Sequence, residues 1–283
     1  MPTTRAMMPS GSGICFGLIV GQYYYSGDRG ALMAGLGRTF WRTACASAVL
    51  GMLLGAQAPS DDADATIAAS LAQMLRSARA VISANQALIN DPEKSDKGLT
   101  GQVVLAQTIK LYQSATKTDP TTIDPKSREG RLLHYQMDAI VEVVDANQTT
   151  VNEKGVGFKA FIPAVFARLV NEAFARRAGD EASVKVTAPL DLVRNRKALP
   201  DKWEKQVIES KFLGPGWPMG HPFEAVVDEN GHKVFRMMAP EYYVASCLSC
   251  HGDPKGALDI TGYPREGGKE GDLGGVISVT LSH

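Results

Sequence analysis

The run Cys247-Leu248-Ser249-Cys250-His251, followed by Gly252, constrains this chain more than any other stretch. Two thiols separated by two residues, with a histidine directly after the second, have the spacing at which a chain attaches a c-type haem. Each thiol can form a thioether to one porphyrin vinyl group, and the adjacent histidine is then held under the iron as its proximal ligand. Packing these three residues into so short a run makes the signal specific. Other chemistries use parts of the pattern. A structural zinc takes about four ligands, often from two cysteine pairs, and the remaining cysteines, Cys15 and Cys45, lie near the N-terminus in apolar sequence. A redox dithiol or plain disulfide does not need the histidine, and a thioredoxin-like pair opens a βαβ unit, whereas this motif lies near the C-terminus after strand-like segments.

The second informative stretch is Arg38 to Ala58. Arg38 and Arg42 form a basic n-region, Thr43 to Leu54 is a mainly apolar run, and Ala56-Gln57-Ala58 offers a small-x-small cleavage pattern, the plan of a secretory signal. Cleavage is expected after Ala58; Met33, a few residues before Arg38, offers a start for such a leader, and the competing reading is that Ile14 to Val20 adds a second membrane contact. The apolar run is shorter than the ~20 residues of a membrane span, so export with no stable span in the mature chain, to an oxidising, periplasmic compartment, is the expectation. Cleavage would remove Cys15 and Cys45 and leave Cys247 and Cys250 for one haem per chain. With 30 basic and 30 acidic residues the formal charge is zero, which gives no long-range field toward nucleic acid.

Hydrophobic periodicity divides the mature chain. Ile67, Leu71, Met74, Ala78 and Ile82 recur at steps of three and four, the stripe of an amphipathic helix over Asp62 to Asn90. Gln102 to Gln113 suits a short further helix, and Lys117 to Gly130, with Pro120 and Pro125, reads as a linker. Leu133, Met137, Ile140, Val144 and Val151 mark a second long stripe, able to pair with the first as a helical hairpin. Pro163 opens a third helix closed by Gly179. Strand signals follow: Val184 and Val186 alternate with polar residues, Asp228-Glu229-Asn230-Gly231 separates two apolar runs as a hairpin turn, and Val276 to Leu281 is a last strand. Asp201 with Glu204 predicts a capping box on a short helix. Pro240 with Glu241 predicts the first turn of another, carrying Tyr242 and Tyr243 toward Cys247. Helices first and an antiparallel sheet afterwards indicate α+β.

Arg194-Asn195, Pro200-Asp201-Lys202-Trp203-Glu204, Cys247 to Gly252, and Glu270-Gly271-Asp272-Leu273-Gly274-Gly275 together resemble a family of exported c-type-haem proteins with a PAS-like fold. The family is mostly a domain of unknown function, found as soluble proteins and as sensor domains. The resemblance covers roughly Gly157 to His283, and it implies a small antiparallel sheet with helices on one side and the haem in the pocket between them. Members usually read Arg-Asn-Pro-x-Asn where this chain has Arg194-Asn195-Arg196-Lys197-Ala198. Some supply a cysteine as second axial ligand, for which the mature chain has no free thiol. The expected organisation is a leader segment over 1–58, a helical extension over 59–155, and a PAS-like haem c domain over 156–283.

The expected cofactor site is Cys247 and Cys250 as thioether donors, His251 as iron ligand, and Arg194 as partner of the haem propionates, since guanidinium binds carboxylate bidentately. The competing reading of Arg194 is an ordinary solvated arginine. The sixth iron position decides function, because a strong protein ligand favours electron transfer and an open site admits a small molecule. His134, His221, His232, Met137, Met237 and Met238 are candidates, and each has a plainer reading as core, cap or surface residue. Asp272 suits a turn that satisfies backbone donors. No hydrolytic constellation is recognisable, and no enzymatic activity is expected. The leading expectation is a sensor of redox state or of a small gaseous ligand; the alternative is a periplasmic electron carrier that docks with a redox partner protein.

Overall fold

The computed structural model describes residues 60–229 and 231–282. The expected leader, its cleavage point and Met33 lie outside the described residues, as does Asn230 of the expected hairpin turn. Helix α1 spans Ser60–Ala84, and all five residues of its predicted stripe are buried. A short α2, Gln86–Ile89, follows it. Helix α3 runs over Gly101–Thr116 from an N-cap in which Thr100 accepts from the Val103 N–H. Helix α4, Arg128–Ala146, is capped in the same way by Ser127 and carries most of the second stripe; Val151 lies on α5, Gln148–Asn152. Helix α6, Pro163–Ala178, starts on its proline and stops at Gly179, where φ is +56°.

Lys117 to Gly130 is a tight connection rather than a linker. Asp119 and Asp124 accept from backbone N–H groups two residues ahead. A Cβ on Gly130 would stand 2.1 Å from the Asp124 carbonyl oxygen. The helices it joins, α3 and α4, pack on each other and on α1.

Strands β1, Ala182–Thr187, β2, Phe223–Glu229, β3, His232–Tyr242, and β4, Leu273–Ser282, form one antiparallel sheet in the order β1-β4-β3-β2. Period-two alternation sorts its side chains. Phe235 and Met237 of β3 and Ile277, Val279 and Leu281 of β4 join one hydrophobic core with Leu71, Tyr112, Ile140, Phe166 and Phe174 of the helices. Full burial of such a side chain contributes roughly 1.5–3 kcal/mol. The helices of 59–155 and the sheet of 156–283 therefore share a core. The opposite face of the sheet presents Met238 and Val276 to a smaller cluster. Val207 of α7, Lys202–Val207, and Ile208 and Phe212 of the π-turn that follows complete it. The capping box is present: Asp201 accepts from the Glu204 N–H and Glu204 from the Asp201 N–H, each at 2.8 Å. The fold is α+β, and among the described residues no helix is long and apolar enough to cross a membrane.

A second stretch differs from expectation. Pro240 and Glu241 do not start a helix; they continue β3, with Pro240 opposite Val276 of β4. On the other side β2 reaches only Phe223, opposite Met238. Pro240 therefore lies where β3 is locally an edge strand, a position that tolerates a missing N–H. Glu241 turns toward α1 and is bound there by Arg76 and Arg79.

Candidate functional site

The end of the sheet where β1 and β3 leave and β4 enters carries the motif. After β3 the chain passes through Tyr243 into a 3₁₀ turn, Ala245–Cys247, and a single α-helical turn, α8, Leu248–His251. Cys247, Cys250 and His251 thus share one short helical segment, both thiols are free, and all three residues are half-buried. The turn ends at Gly252, whose N–H bonds to the Leu248 carbonyl; a Cβ there would stand 2.6 Å from that oxygen. The His251 carbonyl accepts from the Gly268 N–H at 2.8 Å, tying the motif to the glycine-rich segment.

The His251 ring is held from three sides. Its Nδ1 is 2.9 Å from Glu266 Oε2, 3.3 Å from the Tyr243 hydroxyl and 3.4 Å from an Arg194 nitrogen. The Tyr243 ring stacks on the imidazole, with centroids 5.0 Å apart and planes 22° from parallel. A carboxylate can only accept, so the shortest of these contacts calls for a proton on Nδ1, which in the neutral ring leaves the Nε2 lone pair available. Burial and then Glu266 push the Tyr243 phenol up to about 12.

Arg194 lies behind this arrangement. Its Nε and one terminal nitrogen clasp Glu266 at 2.8 and 3.0 Å, the other terminal nitrogen meets Asp259 at 2.6 Å, and a further bond reaches the Cys250 carbonyl at 3.0 Å. Burial pushes Asp259 up, but donors from Thr261, Arg194 and Tyr263 outweigh it and hold the carboxyl below its usual range. Glu266 is lowered in the same sense, with Arg194 and His251 overcoming burial. Arg194 thus joins the loop after β1 to the motif and to the loop behind it, and its donors face protein groups.

Beside Tyr243 and Glu266 lies a cavity of about 310 Å³. Leu192, Leu213 and Leu273 supply apolar walls, Gly267 and Gly268 a bare backbone wall, and Asp191 and Asp272 polar edges. It opens at the end of the sheet, whereas the interface between the sheet and the large helices is filled by core side chains. Leu213, Leu258, Ile260 and Tyr263 are exposed on the surrounding loops. Two free thiols and an imidazole on one helical segment, with a partly apolar cavity lined by the Tyr243 and Glu266 that contact the imidazole, are donors of the kind a thioether-linked porphyrin requires, so the residues fit that group.

The sixth-position candidates distribute differently. Met137 and Met237 are buried in the main core and Met238 in the smaller cluster. His134 places Nδ1 2.7 Å from the Gly130 carbonyl of its own helix. His232 is exposed where β3 begins, and His221 sits in the loop before β2, its carbonyl accepting from Trp217 Nε1 at 2.9 Å. Asp272 closes a turn, accepting from the Lys269 N–H at 2.8 Å. Sequence reasoning missed Glu266 and Asp259, and it missed Met219, an exposed residue whose methyl carbon is 3.9 Å from a Cβ placed on Gly271, next to Asp272 of the cavity. Asp259-Ile260-Thr261 carried a faint signal, an Asx turn; Glu266 carried none.

Searches of curated proteins and of solved structures find no match. The profile of one family, described as Tll0287-like, matches residues 60–282, a span that takes in the N-terminal helices as well as the sheet and the motif. The chain belongs to the Tll0287-like family.

Proposed function

We propose that this chain is an exported, single-haem c-type protein that senses redox state or a small gaseous ligand. The observation that carries the reading is the His251 ring, fixed by Glu266 through Nδ1 on the same helical segment as two free thiols. Haem c, when bound, supplies a one-electron couple and an axial site for a small ligand. Cys247 and Cys250 would anchor the group, His251 would offer Nε2 to the iron, and Leu192 and Leu273 would supply apolar wall beside it. Met137, Met237 and Met238 are buried in the two cores and His134 bonds to its own helix, which favours an open or weakly held sixth position and hence sensing over transfer.

Electron transfer to a redox partner protein is the second reading, and Met219 is the observation that favours it. An exposed methionine near Gly271, the residue before the cavity-lining Asp272, is a thioether that could complete the iron's ligation.

The test is the reduced absorption spectrum of the chain purified from a host that attaches haem c, before and after carbon monoxide. A shift supports the sensor. An unshifted low-spin spectrum that becomes responsive in Met219→Ala supports the carrier. Full covalent haem loading in the Cys247→Ala/Cys250→Ala chain would sink both.

A further inference from the structure

We propose that Glu266, locked by Arg194 and Asp259, is the positioning residue that holds His251 in the Nδ1-protonated tautomer and sets the electron affinity of an iron bound at Nε2. This deepens the haem reading and rests on it. Three features carry the assignment.

The first is geometric. The contact of His251 Nδ1 to Glu266 is 2.9 Å, against 3.3 Å to the Tyr243 hydroxyl and 3.4 Å to Arg194. Hydrogen bonds of this kind weaken beyond about 3.2 Å. The carboxylate is therefore the partner that decides the tautomer, and it cannot donate.

The second is rigidity. Both Glu266 oxygens are clasped by the Arg194 fork, so the carboxylate cannot rotate away from the ring. Arg194 is itself pinned by Asp259 and by the carbonyl of Cys250, the residue before the histidine. The Asp259 side chain is fully buried and Glu266 is 15% exposed. Asp259 also accepts from the Thr261 N–H at 2.7 Å and hydroxyl at 2.6 Å, which closes its own loop around the arginine.

The third is charge. Two carboxylates against one guanidinium leave a net charge of −1 on the far side of the imidazole. A negative hydrogen-bond acceptor at Nδ1 makes the ring a stronger electron donor at Nε2. A net negative cluster in a poorly solvated setting also stabilises the more positive ferric iron relative to the ferrous. Both effects lower the reduction potential. A sensor built this way stays oxidised until a strong reductant or a ferrous-binding ligand pulls it over.

Two readouts test the assignment on the full chain. In chain produced without haem, ¹⁵N shifts of the His251 ring are expected to show the Nδ1–H tautomer, and Glu266→Ala is expected to lose that preference. In haem-loaded chain, Glu266→Gln keeps the side-chain shape but removes the charge. Its ferric-to-ferrous ratio at fixed potential is expected to fall about tenfold, a rise of about 59 mV in midpoint, with Glu266→Asp staying near the parent. An Nε2–H ring in the parent chain, or an unchanged midpoint in Glu266→Gln, would overturn the proposal. If no haem attaches at all, the haem reading fails and the ring tautomer alone decides whether Glu266 positions His251.

Discussion

Tyr243 occupies a slot that only glycine walls can form. A Cβ on Gly268 would stand 2.6 Å from one edge of its ring and a Cβ on Gly274 2.3 Å from the other, while the imidazole of His251 covers a face. The neighbouring residue Gly275 pairs with Glu241 of β3, so the Gly274 backbone cannot retreat to make room. Gly274→Ala is therefore expected to swing the Tyr243 ring out and to destabilise the chain by about 1–3 kcal/mol, the cost of overpacking, read as a lower urea midpoint. Tyr243→Phe keeps the stack and gives up only the long contact of its hydroxyl to Nδ1. It is expected to cost about 1 kcal/mol or less. If both substitutions cost the same, the hydroxyl rather than the ring fills the structural role.

At the level of elements, α1 is fastened to the far end of β3 through Glu241, which Arg76 and Arg79 hold together. Burial alone would push this carboxyl up, and the two guanidiniums outweigh it and hold it below its usual range. Glu241→Gln leaves two cations facing a neutral amide. Arg76 is 41% exposed, so solvent offsets part of the loss. The expected destabilisation is about 1–3 kcal/mol, below the 3–5 of a fully buried pair, measured by urea unfolding against the parent. The same contact shows why some elements were legible in the sequence and others were not. The stripes of α1, α4 and α6 are local periodicity, and packing only selected the face that periodicity had already defined. Pro240-Glu241 reads locally as a helix start, and what keeps it extended is the ladder with Val276 and Gly275 of β4, while the Glu241 side chain meets arginines more than 160 positions earlier in the chain. The site divides in the same way. Cys247, Cys250 and His251 declare themselves within five residues, whereas Glu266 gains its role from Arg194, 72 positions away, and no local pattern encodes that meeting.

Over the whole molecule, the ionic contacts tie separate parts of the chain together, and their carboxylates share a sign. Asp201 pairs with Arg236 of β3, Glu241 with α1, and Asp259 and Glu266 with Arg194. In each case burial raises the carboxyl and the cationic partner or hydrogen bonds overcome it, so the folded value is below the ordinary 3.8 of aspartate or 4.5 of glutamate. A carboxyl lowered by folding stabilises the folded state fully above its unfolded value, and that stabilisation is lost as pH falls through the folded value. Glu224 acts oppositely, since burial and Asp62 raise it, but Asp119, Glu142 and Glu172 are lowered as well, so among the described residues the lowered carboxyls prevail. Stability is therefore expected to hold level from neutral pH down to about 4.5 and then to fall steeply, because each tenfold difference in a carboxyl's acidity between folded and unfolded chain is worth about 1.4 kcal/mol. Because helices and sheet share a core, the loss should be one cooperative transition, with ellipticity and tryptophan fluorescence giving the same midpoint. Urea midpoints collected between pH 3 and pH 7 test both points. In Glu241→Gln the fall below pH 4.5 should be shallower, because one of the lowered carboxyls has been removed. Stability that instead drops as pH rises from 4.5 to 7, or a Glu241→Gln profile parallel to the parent's, would show that these pairs do not govern how the molecule meets acid.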